Sequence, residues 1–462
     1  MMHNKYKMKY FLPFNLHIKP SPRWGRVLAC AIIYCASEGV GLCQPVSGVG
    51  LCQSRLALDF NKTHDEVKQY IQRYIPDVTD EQMDHWEQTK ALETCYINGQ
   101  KWYFHNAAPN LFRIDPQCRA IKQQKDGQQK SASMEDERTD IPAIMKTAPK
   151  NALRLGPAHR LRVTYTLTVH PDVVPAGEVI RCWLPFPRND IRRQTDVRLL
   201  STSEDHYVKA PAAYDHSSIY MEHKAEAGKP TVFSETFEYT SHGTWFGLKP
   251  EDVKPYDKTT ALYRKYTANR REHIIVTPRI QHLADSITRG ITNPLLQARA
   301  LYTYIDEHYP WASAREYSTI GNIPEYVLDN HHGDCGQVTL LFLTLCRAKG
   351  IPGHFESGFM VHPHEQNLHD WGEIYFEGVG WVPVDQSFGR PYWATDDATR
   401  YFYLGGIDSY RLIVNSDFGM PFYPAKRFPR SETVDFQRGE VEWKGGNLYF
   451  DKWSWNIKVD YL

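Results

Sequence analysis

The chain has 462 residues, of which 42% are hydrophobic, so it is long and apolar enough to fold as about two to four globular domains. Its 54 basic and 54 acidic residues cancel to a formal net charge of zero at pH 7. This balance argues against the strongly basic proteins that bind nucleic acids or anionic membranes through excess positive charge, so we expect neither partner.

Residues 1–43 are predicted to be an export leader. Six lysines and arginines precede the apolar run 27–36. This run is too short to span a bilayer, but it has the length of the hydrophobic region of a signal peptide. We therefore predict that the protein is exported, to the periplasm, the cell surface or the medium, and that the mature chain has no transmembrane span.

Residues 54–120 are predicted to form a small α+β module. The helical pattern at 79–92 begins with Thr79 and has Gln82 three residues later, which is the pattern of a capping box. Asn98-Gly99 lies between two strand-like runs and predicts a hairpin with a two-residue turn.

The cysteines do not form the pattern of a disulfide scaffold. Four of the nine lie in or beside the leader, and the other five are widely spaced. A bridge between Cys95 and Cys118 is compatible with the sequence, which does not decide it.

Two further segments precede the catalytic motifs. Residues 121–153 are rich in Gln, Lys, Ser and Asp and are predicted to be a solvated linker. Apolar and polar residues then alternate at 161–169, 179–184 and 232–239. Short strands bounded by Pro, Gly and Asp predict a β-sandwich-like domain over 155–250.

Three motifs with the residue types of a thiol-dependent active site follow. They are Gly-Asp-Cys-Gly at 333–336, Leu-His-Asp-Trp at 368–371 and Gly-Trp-Val-Pro-Val-Asp at 380–385. A thiol nucleophile needs an imidazole base, and the base needs a residue that orients it. We therefore predict a catalytic triad of Cys335, His369 and Asp385.

The residues around Cys335 predict the start of a helix. The apolar run 336–349 indicates a buried helix with Cys335 at its positive end, where a thiolate would form easily. Asp334 is expected to cap this helix. Gln337 is a candidate oxyanion donor, with a position on the helix surface as the alternative.

The predicted triad requires a particular strand register in the hairpin that links His369 and Asp385. A loop with an even number of residues would place Asp385 opposite Gly372, on the other face from His369. A loop with an odd number, such as 377–379, would place Asp385 opposite Trp371 and on the same face as His369. The triad therefore predicts an odd loop or a β-bulge in this hairpin.

Together with the helix end Leu-Cys-Arg-Ala-Lys-Gly-Ile-Pro at 345–352, these motifs resemble the catalytic core of the bacterial transglutaminase-like superfamily, a branch of the papain-like fold. The resemblance covers roughly residues 270–390 and implies an α+β core over 255–395. It also implies Cys335 as the nucleophile, His369 as the base and Asp385 as the residue that orients the base.

The resemblance also bears on the reaction. Cross-linking transglutaminases usually carry Trp directly after the nucleophile, whereas this chain has Gly336, which favours hydrolysis. By analogy with the fold, the backbone N–H of Cys335 is expected to be one oxyanion donor. Asp334, Gln337 and Trp371 complete the set of candidates near the site.

No metal or cofactor is predicted. His362-Pro363-His364 and His369-Asp370 supply residue types that bind metals, but their spacing matches no zinc signature. Residues 396–462 read as strands and are predicted to be a β-rich extension that packs on the core. Trp453 and Trp455 are expected either to be buried or to wall the cleft.

These observations predict an exported cysteine-dependent hydrolase of amide or peptide bonds. A thioester would form at Cys335 from a glutamine side chain or a peptide carbonyl, and water would release the acyl group. The expected substrate is a protein or peptide, with a glycopeptide as a variant. The alternatives are a cross-linking or deamidating transglutaminase, an amidase of the glycan–asparagine bond, and an inactive cell-surface binding scaffold.

Overall fold

The computed structural model describes residues 48–127 and 132–462. The predicted leader, residues 1–43, lies outside them. About 32% of the chain is helical and 31% is in strands, which confirms the predicted α+β class. Across the described residues, no helix is both long and apolar enough to cross a membrane.

The N-terminal module consists of helices around a small antiparallel sheet with the strand order β1-β3-β2. Its elements are α1 (Gly48–Asp59), β1 (Phe60–Lys62), α2 (His64–Gln72), α3 (Asp80–Gln88), β2 (Thr94–Ile97), β3 (Gln100–Phe104), α4 (Ala107–Ile114) and α5 (Pro116–Asp126). Two local predictions are confirmed. Thr79 and Gln82 form a capping box at the start of α3, and the turn between β2 and β3 has two residues. Cys118 is a buried thiol that is not joined to Cys95.

The segment predicted to be a linker contains a buried helix instead. Helix α6 (Met134–Thr147) places Ile141 and Ile144, both fully buried, in one hydrophobic cluster with Leu301. The prediction of a solvated linker over 121–153 is therefore wrong. Polar residues dominate the composition of this segment, and few apolar residues, chiefly Ile141 and Ile144, mark the helix face that packs.

Replacing Ile144 with alanine is expected to lower the free energy of unfolding by about 2–5 kcal/mol, because buried methyl groups are lost and a cavity remains. The site is tightly enclosed, since a Cβ atom on Gly156 would lie 2.8 Å from Cγ1 of Ile144. Urea denaturation followed by circular dichroism measures the change. Lys146→Ala on the exposed face of α6 is the control, with an expected change below about 0.5 kcal/mol. Equal effects of the two variants would show that this face does not pack.

The strands that follow α6 form most of a β-sandwich. They are β4 (Leu155–Val169), β5 (Val179–Pro185), β6 (Gln194–Thr202), β7 (Tyr207–Lys209), β8 (Ser218–Lys224) and β9 (Thr231–Trp245). Side chains of β4, β5, β8 and β9 share one hydrophobic cluster, which includes Val163, Ile180 and Phe237. Because β4 and β9 belong to one sheet and β5 and β8 to another, this cluster is the interior between two sheets.

The segment with the three motifs packs helices on an antiparallel sheet. Its elements are α7 (Ala261–Thr267), α8 (Pro278–Ile287), α9 (Pro294–His308), α10 (Ile323–Asn330), α11 (Cys335–Ala348), β10 (Gly353–His362), β11 (Glu365–Phe376) and β12 (Gly380–Val384). Helix α11 is buried along nearly its whole length, with β11, α8, α9 and α10 as neighbours. Short 3-10 helices occur at Ala148–Lys150, Pro250–Asp252, Tyr317–Thr319 and Phe450–Lys452.

The C-terminal segment contributes to three different sheets. Its elements are α12 (Asp397–Arg400), β13 (Gly406–Ile407), β14 (Arg411–Ser416), β15 (Glu440–Trp443), β16 (Gly446–Leu448) and β17 (Trp453–Tyr461). The sandwich sheets have the orders β13-β9-β4-β17, with β6 also paired to β9, and β16-β15-β5-β8-β7. The core sheet has the order β12-β11-β10-β14.

The prediction that residues 396–462 form an extension packed on the core describes only part of this segment, since Phe402, Tyr403 and Phe418 do lie in the hydrophobic cluster of the core. Only β14 joins the core sheet, whereas β17 runs antiparallel along β4 and β15 pairs with β5. Trp453 is buried, and Trp455 stacks on Tyr165 of β4 with ring centroids 6.0 Å apart. These tryptophans therefore belong to the sandwich and do not wall the cleft.

Candidate active site

Cys335 is the first residue of α11, and the cap of this helix has the predicted form. The backbone N–H of Gln337 donates to Oδ1 of Asp334 at 3.1 Å, and the N–H of Asp334 donates to Oε1 of Gln337 at 3.3 Å. The predicted cap by Asp334 is therefore confirmed. Gln337 is fully buried, so the alternative of a surface position is wrong. Its Nε2 has no hydrogen-bond partner among the described residues.

The hairpin between β11 and β12 has the odd loop that the triad requires. Phe376 pairs with Gly380, which leaves the three residues 377–379 in the loop. Gly378 and Gly380 both have positive φ, a conformation that glycine adopts without strain. The strand pairing ends at Gly372 with Val384, and extended by one residue it places Asp385 opposite Trp371, on the face of His369.

His369 and Asp385 meet as the register demands. Nε2 of His369 donates to Oδ2 of Asp385 at 2.6 Å, and both side chains are buried. Oδ1 of Asp385 accepts from the backbone N–H of Phe388 at 3.0 Å, which fixes the carboxylate. Trp371 is fully buried behind the imidazole with ring centroids 5.7 Å apart, and its indole N–H donates to Glu356 at 2.7 Å. Trp371 therefore packs against His369 from behind.

Cys335 and His369 line one cleft with a volume of about 460 Å³. Most of its other walls are apolar or aromatic, and they come from loops and from α6 as well as from the core sheet. These walls are Met134, Trp311, Met360, Leu368, Phe388, Pro391, Tyr392 and Trp393. Polar lining residues are Ser133, Glu137, Glu365, Asn367, Ser387 and Arg390. Gln337, Asp334 and Trp371 are not among the residues that line the cleft.

Burial acts in opposite directions on the pKa values of His369 and Asp385. Burial lowers the pKa of His369 below its usual value, although the charge of Asp385 acts in the other direction. Burial acts to raise the pKa of Asp385, but the charges of His369 and Arg411 outweigh it and hold this pKa below its usual range. At neutral pH the pair is therefore a neutral imidazole hydrogen-bonded to a carboxylate.

The thiol does not have the environment expected from the sequence. Burial, followed by the charges of Asp370 and Asp334, raises the pKa of Cys335 well above its usual value. The thiol donates to Oδ2 of Asp370 at 3.5 Å. Burial is the largest of these causes, and a raised pKa does not support the expectation of an easily formed thiolate in the resting protein.

Asp370 lies within the motif at 368–371, but the sequence predicts no role for it beside the thiol. It points to the opposite face of β11 from His369, toward the first turn of α11. Its Oδ1 accepts from Nε2 of Gln437 at 2.7 Å, and the same Nε2 donates to the backbone carbonyl of His369 at 2.9 Å. The alternation of β11 could have indicated this orientation for Asp370, whereas Gln437 has no local signal.

Asp370 also explains the glycine that follows Cys335. A Cβ atom on Gly336 would lie 2.6 Å from Oδ2 of Asp370 and even closer to the hydroxyl of Tyr317. This hydroxyl donates to Oδ1 of Asp334 at 2.6 Å, so it cannot retreat without losing that bond. The space beside Cys335 is filled by Tyr317 and Asp370, which leaves no room for a larger residue.

The histidines that suggested a metal bind carboxylates instead. Nδ1 of His364 lies 2.8 Å from Oδ1 of Asp136, and Nε2 of His362 lies 3.3 Å from Oδ1 of Asp408. Within residues 48–127 and 132–462, no cluster of three or more His, Cys, Asp or Glu side chains could hold a metal ion.

The core thus has a helix that begins at a cysteine, packed on an antiparallel sheet that carries the histidine, with the aspartate directly after the strand β12. Residues 281–386 match the family model described as Transglutaminase-like superfamily. The resemblance seen in the sequence is therefore confirmed for this part of the chain, which includes Cys335, His369 and Asp385.

Solved structures similar to this chain are distant in sequence. A candidate cysteine protease from Cytophaga hutchinsonii is 13% identical over 67% of this chain and 92% of its own, with a TM-score of 0.42. The periplasmic domain of TgpA from Pseudomonas aeruginosa is 15% identical over 50% of this chain and 88% of its own, with a TM-score of 0.27. No curated protein matches the chain.

Proposed function

We propose that this protein is an exported cysteine-dependent hydrolase of peptide or amide bonds, with Cys335 as nucleophile, His369 as base and Asp385 as the residue that orients the base. The observation that carries the proposal is the 2.6 Å hydrogen bond between His369 and Asp385 beside a cleft that Cys335 also lines. The basic and apolar pattern of the leader supports export.

The first half of the reaction forms a thioester. Nε2 of His369 is committed to Asp385, so Nδ1 is the nitrogen left to accept the thiol proton. Sγ of Cys335 then attacks the substrate carbonyl carbon, and the carbonyl oxygen becomes an oxyanion. The backbone N–H of Cys335, in the first turn of α11, is the proposed donor to this oxyanion.

The second half releases the acyl group. The protonated His369 gives its proton to the leaving nitrogen, the carbon–nitrogen bond breaks, and a thioester remains on Cys335. A water molecule then attacks the thioester while His369 takes its proton. The carbon–sulfur bond breaks, the product leaves as a carboxylic acid, and the proton returns to the thiolate.

The walls of the cleft support a protein or peptide substrate. Trp311 and Tyr392, which are 46% and 66% exposed, lie at the open side of a largely apolar cavity. Exposed aromatic side chains at a cleft bind apolar groups with little loss of side-chain entropy. We therefore expect preference for a bulky apolar side chain near the bond that is cleaved.

Cys335→Ala is expected to lower cleavage by at least about 10³-fold, because no other group can form the thioester. The substrates are reduced casein and a random peptide library, and mass spectrometry detects new termini. Cadaverine is added in parallel reactions as an amine acceptor. Cys346→Ala is the matched control, since Cys346 lies in the same helix but is fully buried away from the cleft.

The outcomes separate the candidate activities. Cleavage that Cys335→Ala loses and Cys346→Ala retains supports a hydrolase. Incorporation of cadaverine without cleavage would replace the hydrolase with a transglutaminase. Cleavage that survives Cys335→Ala, or neither reaction with the unaltered protein, would refute the proposal.

A further inference from the structure

A buried arginine from outside the family match holds the carboxylate of the proposed triad. Arg411 is the first residue of β14 and is 2% exposed. Its Nη1 lies 2.8 Å from Oδ2 of Asp385, the same oxygen that accepts the hydrogen bond from His369. The guanidinium, the carboxylate and the imidazole therefore lie in one continuous row.

The guanidinium is itself fixed by a second carboxylate. Nε of Arg411 donates to Oδ2 of Asp408 at 2.8 Å, and Nη2 donates to the same oxygen. Oδ1 of Asp408 lies 3.3 Å from Nε2 of His362, which is fully buried. A planar guanidinium bound along one edge by Asp408 has its position fixed, and its charge lies against Asp385 as an ion pair, although Nη1 makes no hydrogen bond among the described residues.

Aromatic rings enclose the side chain of Arg411 and separate its guanidinium from solvent. The centroid of Phe388 lies 4.4 Å from the guanidinium carbon of Arg411, and that of Trp371 lies 5.4 Å away. Both rings also contact His369, with centroid separations of 4.9 Å and 5.7 Å. Loss of the cation would leave the Asp385 and Asp408 carboxylates close together in an apolar environment, which is costly.

The charge of Arg411 favours the same ionisation states of Asp385 and His369 as its position beside them. The positive charge of Arg411 lowers the pKa of Asp385 and, through a smaller contribution than burial, the pKa of His369. Several other titratable side chains face this row from the elements packed around it. They are Asp136 and Glu137 of α6, Glu356 and His362 of β10, Cys335 of α11, and Tyr403 and Asp408 before β14.

We propose that Arg411 is a positioning residue, which locks the Asp385 carboxylate onto His369 and keeps the imidazole available as a base. The inference rests on the proposed function. It extends the working site beyond residues 281–386, because β14 supplies an ion pair that the family match does not contain. The C-terminal segment is thus part of the active site as well as of the β-sandwich.

The test measures the rate of Cys335 alkylation by iodoacetamide against pH in the full chain, a reaction that needs no substrate. Arg411→Met removes the charge, so His369 and Asp385 hold protons more tightly. The lower limb of the profile is expected to move to higher pH by about one unit, the shift that a nearby charge typically causes. Arg411→Lys keeps the charge and should leave this limb in place, while kcat on cleaved peptides falls and KM changes little.

Two further variants serve as a control and as a replacement for a variant that does not fold. Arg347→Met removes another buried arginine, which binds the carbonyls of Gly353 and Ala268 far from the triad, and it should not move the limb. Arg411→Gln replaces Arg411→Met in the test if the latter does not fold, since its amide can still bond both carboxylates. An unmoved limb in folded Arg411→Met or Arg411→Gln, or an equal shift in Arg347→Met, would overturn the inference.

The proposed function and this inference fail in different ways. Cleavage that persists in Cys335→Ala would refute the function. The effect of Arg411 on the pH dependence of alkylation would still be tested, because that reaction needs no substrate. Loss of cleavage in Cys335→Ala, with a profile that ignores the charge at position 411, would keep the function and refute the role of Arg411.

Discussion

His369→Ala is expected to lower kcat/KM on cleaved peptides by about 10² to 10⁴-fold, the usual contribution of a general base. The effect should be large because the thiol cannot ionise readily by itself. Burial and the charges of Asp370 and Asp334 raise the pKa of Cys335, so the proton must pass to a base. Alkylation of Cys335 by iodoacetamide should slow in the same variant at pH 7.

The pH dependence of this reaction has a definite sign. Because burial lowers the pKa of His369, the imidazole stays neutral at pH 7 and activity should be lost only as the pH falls through that lowered pKa. His354→Ala is the matched control. His354 is buried on the neighbouring strand and bonds Glu373 at 3.1 Å, away from the cleft. Unchanged turnover in His369→Ala, or an equal loss in His354→Ala, would remove His369 from the mechanism.

Asp370→Asn is expected to accelerate alkylation of Cys335 at pH values where Asp370 is ionised, by about tenfold for each unit by which the thiol pKa falls. Burial raises the pKa of Asp370 well above its usual value, so the acceleration should grow toward alkaline pH. After burial, the charge of Asp370 is the largest cause that raises this pKa. Asparagine removes the charge and keeps an oxygen that can accept from Gln437, whose Nε2 bonds Oδ1 of Asp370 at 2.7 Å. The local packing should therefore survive the substitution.

The control for this prediction is Glu373→Gln. Glu373 lies three residues farther along β11 and bonds His354, so its charge is directed away from Cys335. Its alkylation profile should match that of the unaltered protein. A rate in Asp370→Asn that stays the same or falls would show that the thiol is not restrained by this carboxylate.

Features that depend on near neighbours in the chain could be predicted well. Thr79 with Gln82 and Asp334 with Gln337 are capping boxes because a side chain reaches the backbone only three residues away. The three-residue loop at 377–379 followed from the side-chain alternation of two adjacent strands, given the hypothesis that Asp385 meets His369.

Features that depend on distant partners could not be predicted. Helix α6 has the composition of a linker because its polar residues outnumber the apolar ones that pack. The partner of β17 is β4, nearly 300 residues earlier, and alternation indicates a strand without indicating its neighbour. Gln437 reaches Asp370 across 67 positions in the chain.

The sequence by itself determined the identity, order and local placement of Cys335, His369 and Asp385, because helix starts, hairpin loops and strand faces are set over a few residues. Only the tertiary structure decided the charges around them. Asp370 and Asp334 restrain the thiol and Arg411 holds Asp385, since electrostatic interactions in a buried site depend on distances of a few ångströms between elements far apart in the chain. Contacts between elements far apart in the chain likewise place the C-terminal segment in the β-sandwich and beside the proposed active site.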